Sequence, residues 1–329
     1  MRHSQHVRAC VWLLAATGVW GLSFPFVKAT WIAQSARAPE ISSVLFAAML
    51  AVFRFSIAGA VIALFSVRTL GRTTKLEMQQ GLGLGIFGGL GILFQMDGLA
   101  HTSASTSAFL TQFYCLVIPI WVAWRSRALP RRAVILSSLM VLAGVAVLSR
   151  FNWREFTMGR GEAETLLSAI FFAGQILWLE RPRYAQNRVT HFTVIMFFTI
   201  ALLMLPIVMW TAPSVRAVID AYGSPEILAL AGVIALACTL VAYTVMNIWQ
   251  PRVTATEAGL IYCIEPLCAS VFAVFLPGWL SRFADLEYPN ERVTIHLLIG
   301  GGLITAANVL MQIEAMVPGK RAGRMANPP

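Results

Sequence analysis

The chain has 329 residues, of which 58% are hydrophobic and only 12% are charged. A soluble domain carries roughly a quarter charged residues, so this chain has too little polar surface to coat a globule in water. Its formal net charge is +10. The basic residues stand in short stretches between apolar segments, without interleaved aromatics. We therefore expect anionic lipid headgroups as their partner and no nucleic acid.

Apolar segments recur along the chain, and about 20 apolar residues are what a helix needs to cross the hydrocarbon core. Ten segments predict an all-α polytopic membrane protein with about ten transmembrane helices. The third segment is short and rich in glycine and the sixth contains Ser168 and Gln175, so these two are the weakest. In chain order the segments are Val11–Ala29, Ile41–Val67, Gly81–Met96, Ala104–Trp124, Ala133–Ser149, Ala163–Leu179, Phe192–Trp210, Ile227–Ile248, Ala255–Pro277 and Ile295–Ile313.

The charges between the segments predict the orientation, because Lys and Arg accumulate in short cytoplasmic loops. With the amino terminus inside, most of the basic residues face the cytoplasm, among them Arg72, Arg131 and Arg188, and fewer face outward. We expect a multi-pass protein of the cell inner (plasma) membrane with both termini cytoplasmic. Small residues at Ser35–Ala38 would suit signal-peptide cleavage, but the preceding apolar run is long for a signal peptide, which favours a retained first helix.

The fourth and ninth segments share a pattern. Each places a Tyr-Cys pair, beginning at Tyr114 or Tyr262, shortly before a proline, Pro119 or Pro266. A five-segment unit enters the membrane from the opposite side in its second copy, which is the inverted-repeat plan of many secondary transporters. Prolines are also common in membrane helices without such a role. The predicted division is a cytoplasmic tail (1–10), a first five-helix repeat (11–149), an external linker (150–162), a second five-helix repeat (163–313) and a cytoplasmic tail (314–329).

Four groups of motifs stand in order along the chain. They are Trp20-Gly-Leu-Ser-Phe24-Pro-Phe-Val-Lys28, then Arg54-Phe55, then Thr102-Ser-Ala with Phe109-Leu-Thr and Pro119, and last Val253-Thr-Ala-Thr with Glu265-Pro266. Together they resemble the EamA-type branch of the drug/metabolite transporter superfamily over nearly the whole chain. The resemblance implies ten helices in two inverted five-helix repeats, and export or exchange of amino acids, other metabolites or drugs. The sixth segment departs from it, because Phe172–Trp178 only faintly echoes the Trp-Gly motif.

Arg54 and Glu265 are ionisable residues midway along the second and ninth segments. Charges at that depth are costly, cannot reach an interface, and face the interior of a bundle or a wet cavity. We expect them to line a midplane cavity, bound either to each other or to the charged ends of a zwitterionic substrate. The alternative is a permanent ion pair that only fixes the packing. Glu265 is also a candidate for proton coupling.

Four further residues are candidates for binding or gating. Lys28 is a substrate contact in the family resemblance, although its depth also suits an anchor that reaches the interface. Asp97, at the external end of the third segment, is a candidate gate or proton acceptor, or an ordinary interfacial carboxylate. Pro119 and Pro266 are candidate gating positions, because they interrupt matching segments.

Aromatic and amide side chains complete the expected substrate site. Trp20, Phe24, Tyr114 and Tyr262 lie on or beside the motifs, and aromatic walls suit organic solutes through apolar area and cation–π attraction. Gln95 is polar at membrane depth and is placed to hydrogen-bond across helices or to substrate. For all five the alternative is packing within the bundle.

The sequence has no Gly-x-x-x-x-Gly-Lys-Ser/Thr loop, so ATP-driven pumping is not expected, and it has no metal-ligand motif. We expect no cofactor and no enzymatic activity. The predicted function is secondary transport of a small-molecule substrate, by export or exchange, through alternating access around the cavity. The alternatives are a non-transporting membrane scaffold and a membrane-embedded enzyme acting on lipid-linked substrates. An open cavity lined by Arg54 and Glu265 is expected of a transporter, and a dry bundle of a scaffold.

Overall fold

A computed structural model describes residues 2–102, 104–154 and 158–316. Within these ranges every regular element is a helix, which confirms the all-α prediction. The predicted carboxyl-terminal tail lies outside the described residues from position 317 onward, as does the middle of the predicted external linker, 155–157.

The described residues form fourteen α-helices. The segment between α10 and α11 is a π-helix, Ile234–Val241, and single 3-10 turns occur at Pro182–Tyr184 and Gln250–Arg252. In chain order the helices are α1 (Arg2–Arg37), α2 (Ser43–Leu70), α3 (Lys75–His101), α4 (Ala104–Thr111), α5 (Tyr114–Ser126), α6 (Arg132–Leu148), α7 (Arg160–Leu179), α8 (Val189–Thr211), α9 (Val215–Ala221), α10 (Pro225–Val233), α11 (Ala242–Trp249), α12 (Ala255–Tyr262), α13 (Glu265–Ala284) and α14 (Ile295–Met316).

Eight helical segments of the described chain are long and apolar enough to cross a membrane. The third and sixth predicted segments, expected to be the weakest, are among them. The fifth and tenth are apolar but shorter, as α6 and Ile295–Met311 of α14. The 17 residues of α6 reach about 26 Å at ~1.5 Å per residue, against a hydrocarbon core of about 30 Å. The ten-helix count therefore stays a prediction.

Capping residues outside the apolar segments determine where several helices begin. The Ser42 hydroxyl accepts a hydrogen bond from the Leu45 N–H at 3.1 Å at the start of α2. At the start of α3, Thr74 and Glu77 form a capping box, in which each side chain accepts from the other residue's backbone N–H. Such caps satisfy N–H groups that have no partner within the helix. The helices are accordingly longer than the apolar segments, and α1 runs through the predicted tail 1–10.

Two rows of glycine on α3 let it pack closely against both α7 and α8. A Cβ atom on Gly81 would lie 2.6 Å from the backbone oxygen of Phe192 in α8. On the other row, a Cβ atom on Gly88 would lie 2.5 Å from the Gln175 amide nitrogen in α7. Atoms this close overlap. At Gly81 the overlap is with backbone, so glycine is required, whereas a side chain at Gly88 would displace the Gln175 amide. Close packing through small residues is a main source of helix association in lipid.

The glycines of α6 and α14 allow another close pair. A Cβ atom on Gly300 would lie 2.5 Å from the Gly144 carbonyl oxygen, and one on Gly144 would lie 2.8 Å from the Gly300 oxygen. The backbones of the two helices therefore touch at this point. Gly302, in the same helix, has no atom within 4 Å of the corresponding position.

We expect Gly300→Ala to destabilise the protein and Gly302→Ala to leave its stability unchanged or slightly raised. The first variant forces α6 and α14 apart, and overpacking of this kind costs about 1–3 kcal/mol. The second gains helix propensity without a clash. Thermal unfolding of the two variants in the same detergent measures the difference. Equal melting temperatures would contradict the close packing of α6 on α14.

Candidate functional site

The fourth and ninth segments are broken at matching points. The helices α4 and α12 each have eight residues. Each is followed by a two-residue break, Gln112–Phe113 or Cys263–Ile264, which is a tight turn whose N–H groups donate three or four residues back. Tyr114 and Glu265 are the first residues after the two breaks. In this register Tyr114 corresponds to Glu265, whereas the repeated Tyr-Cys pattern of the sequence pairs it with Tyr262, three positions earlier. Residues after both breaks interact, since Tyr114 and Glu265 lie within electrostatic range of each other.

The two candidate gating prolines occupy different positions in their helices. Pro119 is buried inside α5, where it has no N–H for the carbonyl of Cys115, four residues earlier. The Ser138 hydroxyl of α6 donates to this free carbonyl at 3.0 Å. Pro266 is in the first turn of α13, where its missing N–H would have no helical partner in any case. Of these two candidates, Pro119 alone lies in a helix interior.

Arg54 lies in the middle of α2 and is only partly paired. Its guanidinium lies 4.8 Å from the ring centroid of Phe55, and its Nε is buried without a hydrogen-bond partner. The titratable groups that act on it are Tyr243, Cys238 and Glu265. Cys238 belongs to the π-helix and Tyr243 follows it in α11; π-helical turns are frequent at functional sites.

Glu265 is the first residue of α13, and its carboxylate interacts electrostatically with Arg54. Carboxylates are favoured at the first turn of a helix, where the N–H groups give the helix a partial positive charge. The salt bridges of the described residues, with nitrogen and oxygen within 4.0 Å, do not include an Arg54–Glu265 pair. The two charges are therefore near each other without a direct contact.

An aromatic cluster stands next to these charges. The ring of Trp20 makes edge contacts with Tyr243 at 5.1 Å and Tyr262 at 5.3 Å between centroids, and its indole nitrogen is buried without a partner. The Tyr262 hydroxyl donates to Gln250 at 2.9 Å. Tyr243 also contacts Phe55, which joins the cluster to the Arg54 region. Tyr243 and Gln250 were missed because no motif marks them, although a polar aromatic in an otherwise aliphatic segment was a usable signal.

Three of the other candidates lie apart from this cluster. Phe24 is 51% exposed. Lys28 is exposed and lies over the ring of Tyr288 at 5.1 Å. The amide nitrogen of Gln95 donates to the Thr111 hydroxyl at 3.3 Å, which ties α3 to the last residue before the break in the fourth segment. Their role in binding stays a prediction.

Asp97 lies in a polar cluster where α3 ends and α7 begins. One Nη of Arg160 is 2.6 Å from the Asp97 carboxylate, and its Nε is 2.8 Å from Glu164. The Thr102 hydroxyl donates to Glu162 nearby. This cluster joins α3 and the entry to α4 with the start of α7. We call it the opposite-face latch; it consists of Asp97, Thr102, Arg160, Glu162 and Glu164.

A second polar cluster lies where α1 and α12 begin. The imidazole Nε2 of His6 is 3.4 Å from the Glu257 carboxylate, and both side chains are buried. The other Glu257 oxygen accepts from the N–H of Thr254 at 2.8 Å. This amino-terminal latch, His6 with Glu257, was missed because His6 was assigned to a tail. The Thr254-x-x-Glu257 capping pattern was the available signal.

A crevice between α2 and α3 runs from Arg54 toward Asp97. Its inner part has a cavity volume of about 20 Å³ and its outer part about 10 Å³. Both are mostly apolar and below the about 300–1,000 Å³ of typical ligand pockets. Ala47, Ile92 and Met96 line both parts. The region around Arg54 is therefore closed, without the open cavity expected from the sequence.

Known proteins resemble the chain in sequence and in fold. No family model matches it. An uncharacterized transporter of Archaeoglobus fulgidus is 26% identical over 261 residues, which cover 78% of this chain and 74% of the relative. A solved crystal structure, titled only as that of a protein, aligns with 94% of this chain and 99% of its own with a TM-score of 0.67, at 18% identity.

The apolar helices and this relative support a membrane transporter in general. The solved structure shows that the fold occurs elsewhere. The superfamily suggested by the motifs stays a prediction.

A double-mutant cycle tests whether Ser138 compensates for Pro119. We expect Ser138→Ala to cost about 1–2 kcal/mol, because it leaves the buried Cys115 carbonyl without a donor. In a Pro119→Ala background the helix supplies an N–H to that carbonyl, and the cost of Ser138→Ala should nearly vanish. Chemical denaturation in detergent gives the four stabilities. Equal costs in both backgrounds would refute the compensation.

Proposed function

We propose that the protein is a secondary transporter that exports or exchanges small organic solutes by alternating access, with its binding site between Arg54 and Glu265. The observation that carries this proposal is the pair of matched breaks in the fourth and ninth segments. In secondary transporters, discontinuous helices in corresponding positions of two repeats form the substrate site near the midplane. Here the breaks place Tyr114 and Glu265 near each other, with Arg54 within electrostatic range of Glu265.

The packing of the helices supports two inverted five-helix repeats. If the halves are related by a two-fold axis, a contact between the first and ninth segments requires one between the sixth and fourth. α1 does pack on α13, and α7 packs on α4 and α5. The second and seventh segments, α2 and α8, and the fifth and tenth, α6 and α14, should pair with each other, and they do.

The two latches support an occluded state as the reason why the site is closed. Each latch joins the first helix of one half to the broken segment of the other half: α1 to α12 through His6 and Glu257, and α7 to the entry of α4 through Glu162 and Thr102. Alternating access needs the latches to open one at a time. A scaffold with a permanently dry interior predicts that neither opens.

The chemistry of the site favours a zwitterionic or amphipathic organic solute. Arg54 suits a carboxylate, Glu265 suits an amine, and the rings of Trp20, Tyr243 and Tyr262 offer an apolar wall with cation–π attraction. Proton coupling through Glu265 fits a carboxylate at this depth. We place the protein in the cell inner membrane with both termini cytoplasmic, on the charge distribution of the loops.

Neutral variants of Arg54 and Glu265 separate substrate binding from a static ion pair. In proteoliposomes preloaded with amino acids, amines and sugars, with and without a pH gradient, we expect Arg54→Gln and Glu265→Gln each to abolish exchange of the solutes that the native protein releases. The double variant should be at least as inactive, because each charge binds its own end of the solute. Arg216→Gln, an exposed arginine in α9, is the matched control and should transport normally.

Two outcomes would contradict the proposed site. If the double variant recovers transport that both single variants lack, the residues form a structural ion pair, because removing one partner strands a charge and removing both does not. If both single variants transport at the native rate, neither charge binds solute. Native protein that releases none of the solutes would favour the scaffold.

Cross-linking tests the amino-terminal latch. Cys10 lies beside His6, so the five native cysteines are first replaced by serine or alanine. We expect oxidation of a His6→Cys, Glu257→Cys pair to stop transport and reduction to restore it, because α1 and α12 must separate. The single-cysteine variants serve as controls. Undiminished transport by fully cross-linked protein would show that this latch stays closed during the cycle.

A further inference from the structure

Two polar side chains lie together near the end of α1, and each has buried polar atoms without a well-aligned hydrogen-bond partner. Gln34 is 0% exposed, and neither its amide nitrogen nor its amide oxygen has a partner among the described residues. Tyr222, in the corner between α9 and α10, has a buried hydroxyl that is also unpartnered. Buried polar groups in proteins are almost always satisfied, so a cluster of unsatisfied ones indicates a bound water or ligand.

The corner that carries Tyr222 is held firmly. The Nε of Arg37 donates to the Asp220 carbonyl at 3.3 Å, and its Nη2 donates to the Gly223 carbonyl at 3.2 Å. The Tyr222 ring stacks on Phe53 of α2, with 5.0 Å between centroids and 16° between planes. The position of the hydroxyl is therefore fixed by both α1 and α2.

The hydroxyl of Tyr222 and the amide of Gln34 face each other. Burial raises the pKa of Tyr222, and a hydrogen bond from the Gln34 amide opposes this rise, so the hydroxyl is neutral at physiological pH and lies within reach of the amide, although the bond is not well aligned. A primary amide has a donor end and an acceptor end. If the hydroxyl closes on one end, the other end is still unpaired. The pair thus has capacity for at least one more hydrogen-bonding group.

Unpaired polar atoms continue from here to the candidate substrate site. Phe53, which stacks on Tyr222, precedes Arg54, whose Nε is unpaired, and the indole nitrogen of Trp20 is unpaired as well. A second buried Gln–Tyr pair behaves differently. Gln250 donates to the Ile176 carbonyl at 2.8 Å and accepts from Tyr262 at 2.9 Å. Buried atoms without partners also occur elsewhere in the described residues, among them Gln112 and Asn308, so the contrast is with this second Gln–Tyr pair alone.

We infer that Gln34 and Tyr222 form a buried subsite for a small neutral hydrogen-bonding group: a hydroxyl or carboxamide of the transported solute, replaced by water when solute is absent. Neither residue carries a charge, and the adjacent Arg37 is occupied by two carbonyl oxygens, so a neutral group fits and an ion does not. The position of the subsite on a transport route rests on the proposed function. The prediction that a polar group occupies the subsite does not depend on the proposed function.

Thermal unfolding in detergent without solute tests the occupancy. We expect Gln34→Met and Tyr222→Phe to lower the melting temperature, because each removes a hydrogen bond to the bound water. Gln250→Met and Tyr262→Phe, which break a pair with partners within the protein, give the size of loss to compare with. If Gln34→Met or Tyr222→Phe raises the melting temperature or leaves it unchanged, the polar groups are empty and the inference is wrong. Tyr222→Phe removes a single oxygen atom, so it tests the subsite even if Gln34→Met fails to fold.

Transport kinetics then distinguish a solute from a resident water. Each solute released in the proteoliposome screen is compared with an analogue in which a hydrogen atom replaces its hydroxyl or carboxamide. A solute in the subsite predicts that Tyr222→Phe raises KM about tenfold for the parent and leaves the analogue unchanged, since one buried hydrogen bond has about that effect. Equal KM changes with a lowered melting temperature identify water as the occupant.

The two proposals fail separately. Lowered melting temperatures without any transport keep the subsite and reject the transport function. A raised melting temperature with normal transport rejects the subsite and keeps the transport function.

Discussion

The constraint on which the structure depends is the lack of hydrogen-bond partners for the backbone within a bilayer. In hydrocarbon every N–H and C=O must be satisfied by the protein, so continuous helices are the default and any break must be enclosed by protein or line a cavity. The breaks at Gln112–Phe113 and Cys263–Ile264 obey the same rule, because their N–H groups donate to carbonyls three or four residues back, in tight turns. They lie within long apolar segments, and the residues of α12 before the second break are all buried. Ser138 shows the same rule locally, because its hydroxyl replaces the N–H that Pro119 lacks.

Buried polar side chains divide into a paired set and an unpaired set. The paired set joins helices: Asn247 donates to Thr193, Gln250 connects α7 with α12, and Arg188 binds Glu77 beside the start of α8. Unpaired atoms occur in Trp20, Arg54, Gln34 and Tyr222, and also outside the proposed sites, as in Trp178 and the Oδ1 of Asn247. A purely structural bundle gains nothing from them. Under the proposed function, a solute pairs with those at the site during the cycle.

The sequence predicts the helical fold well, since long apolar segments have no other stable form in a membrane. Their ends are harder to predict, because caps such as Thr74 with Glu77 lie in the polar residues beyond each segment. The breaks were not predicted where they fall. Pro119 suggested an interruption, but the helix tightens earlier, in the turn at Gln112–Phe113, where no proline or glycine marks it.

The charged residues of the candidate site could be predicted from the sequence, and the side chains around them less well. Arg54 and Glu265 stand out because ionisable residues are rare at that depth. Tyr243 and the pair of Gln34 and Tyr222 depend on contacts between helices far apart in sequence, which no local pattern encodes. His6 is the plainest case, since a residue assigned to a tail is buried against Glu257 in α12.

Accessibility of one position tests the central claim, an occluded site that opens to each side in turn. Ala51 lines the crevice beside Arg54 and is 3% exposed. In a cysteine-free background, Ala51→Cys is treated with a membrane-impermeant thiol reagent from either side of the membrane. Alternating access predicts labelling from both sides of the membrane. Cross-linking the latch on one face should favour labelling from the other face. Labelling from neither side under any condition would contradict it.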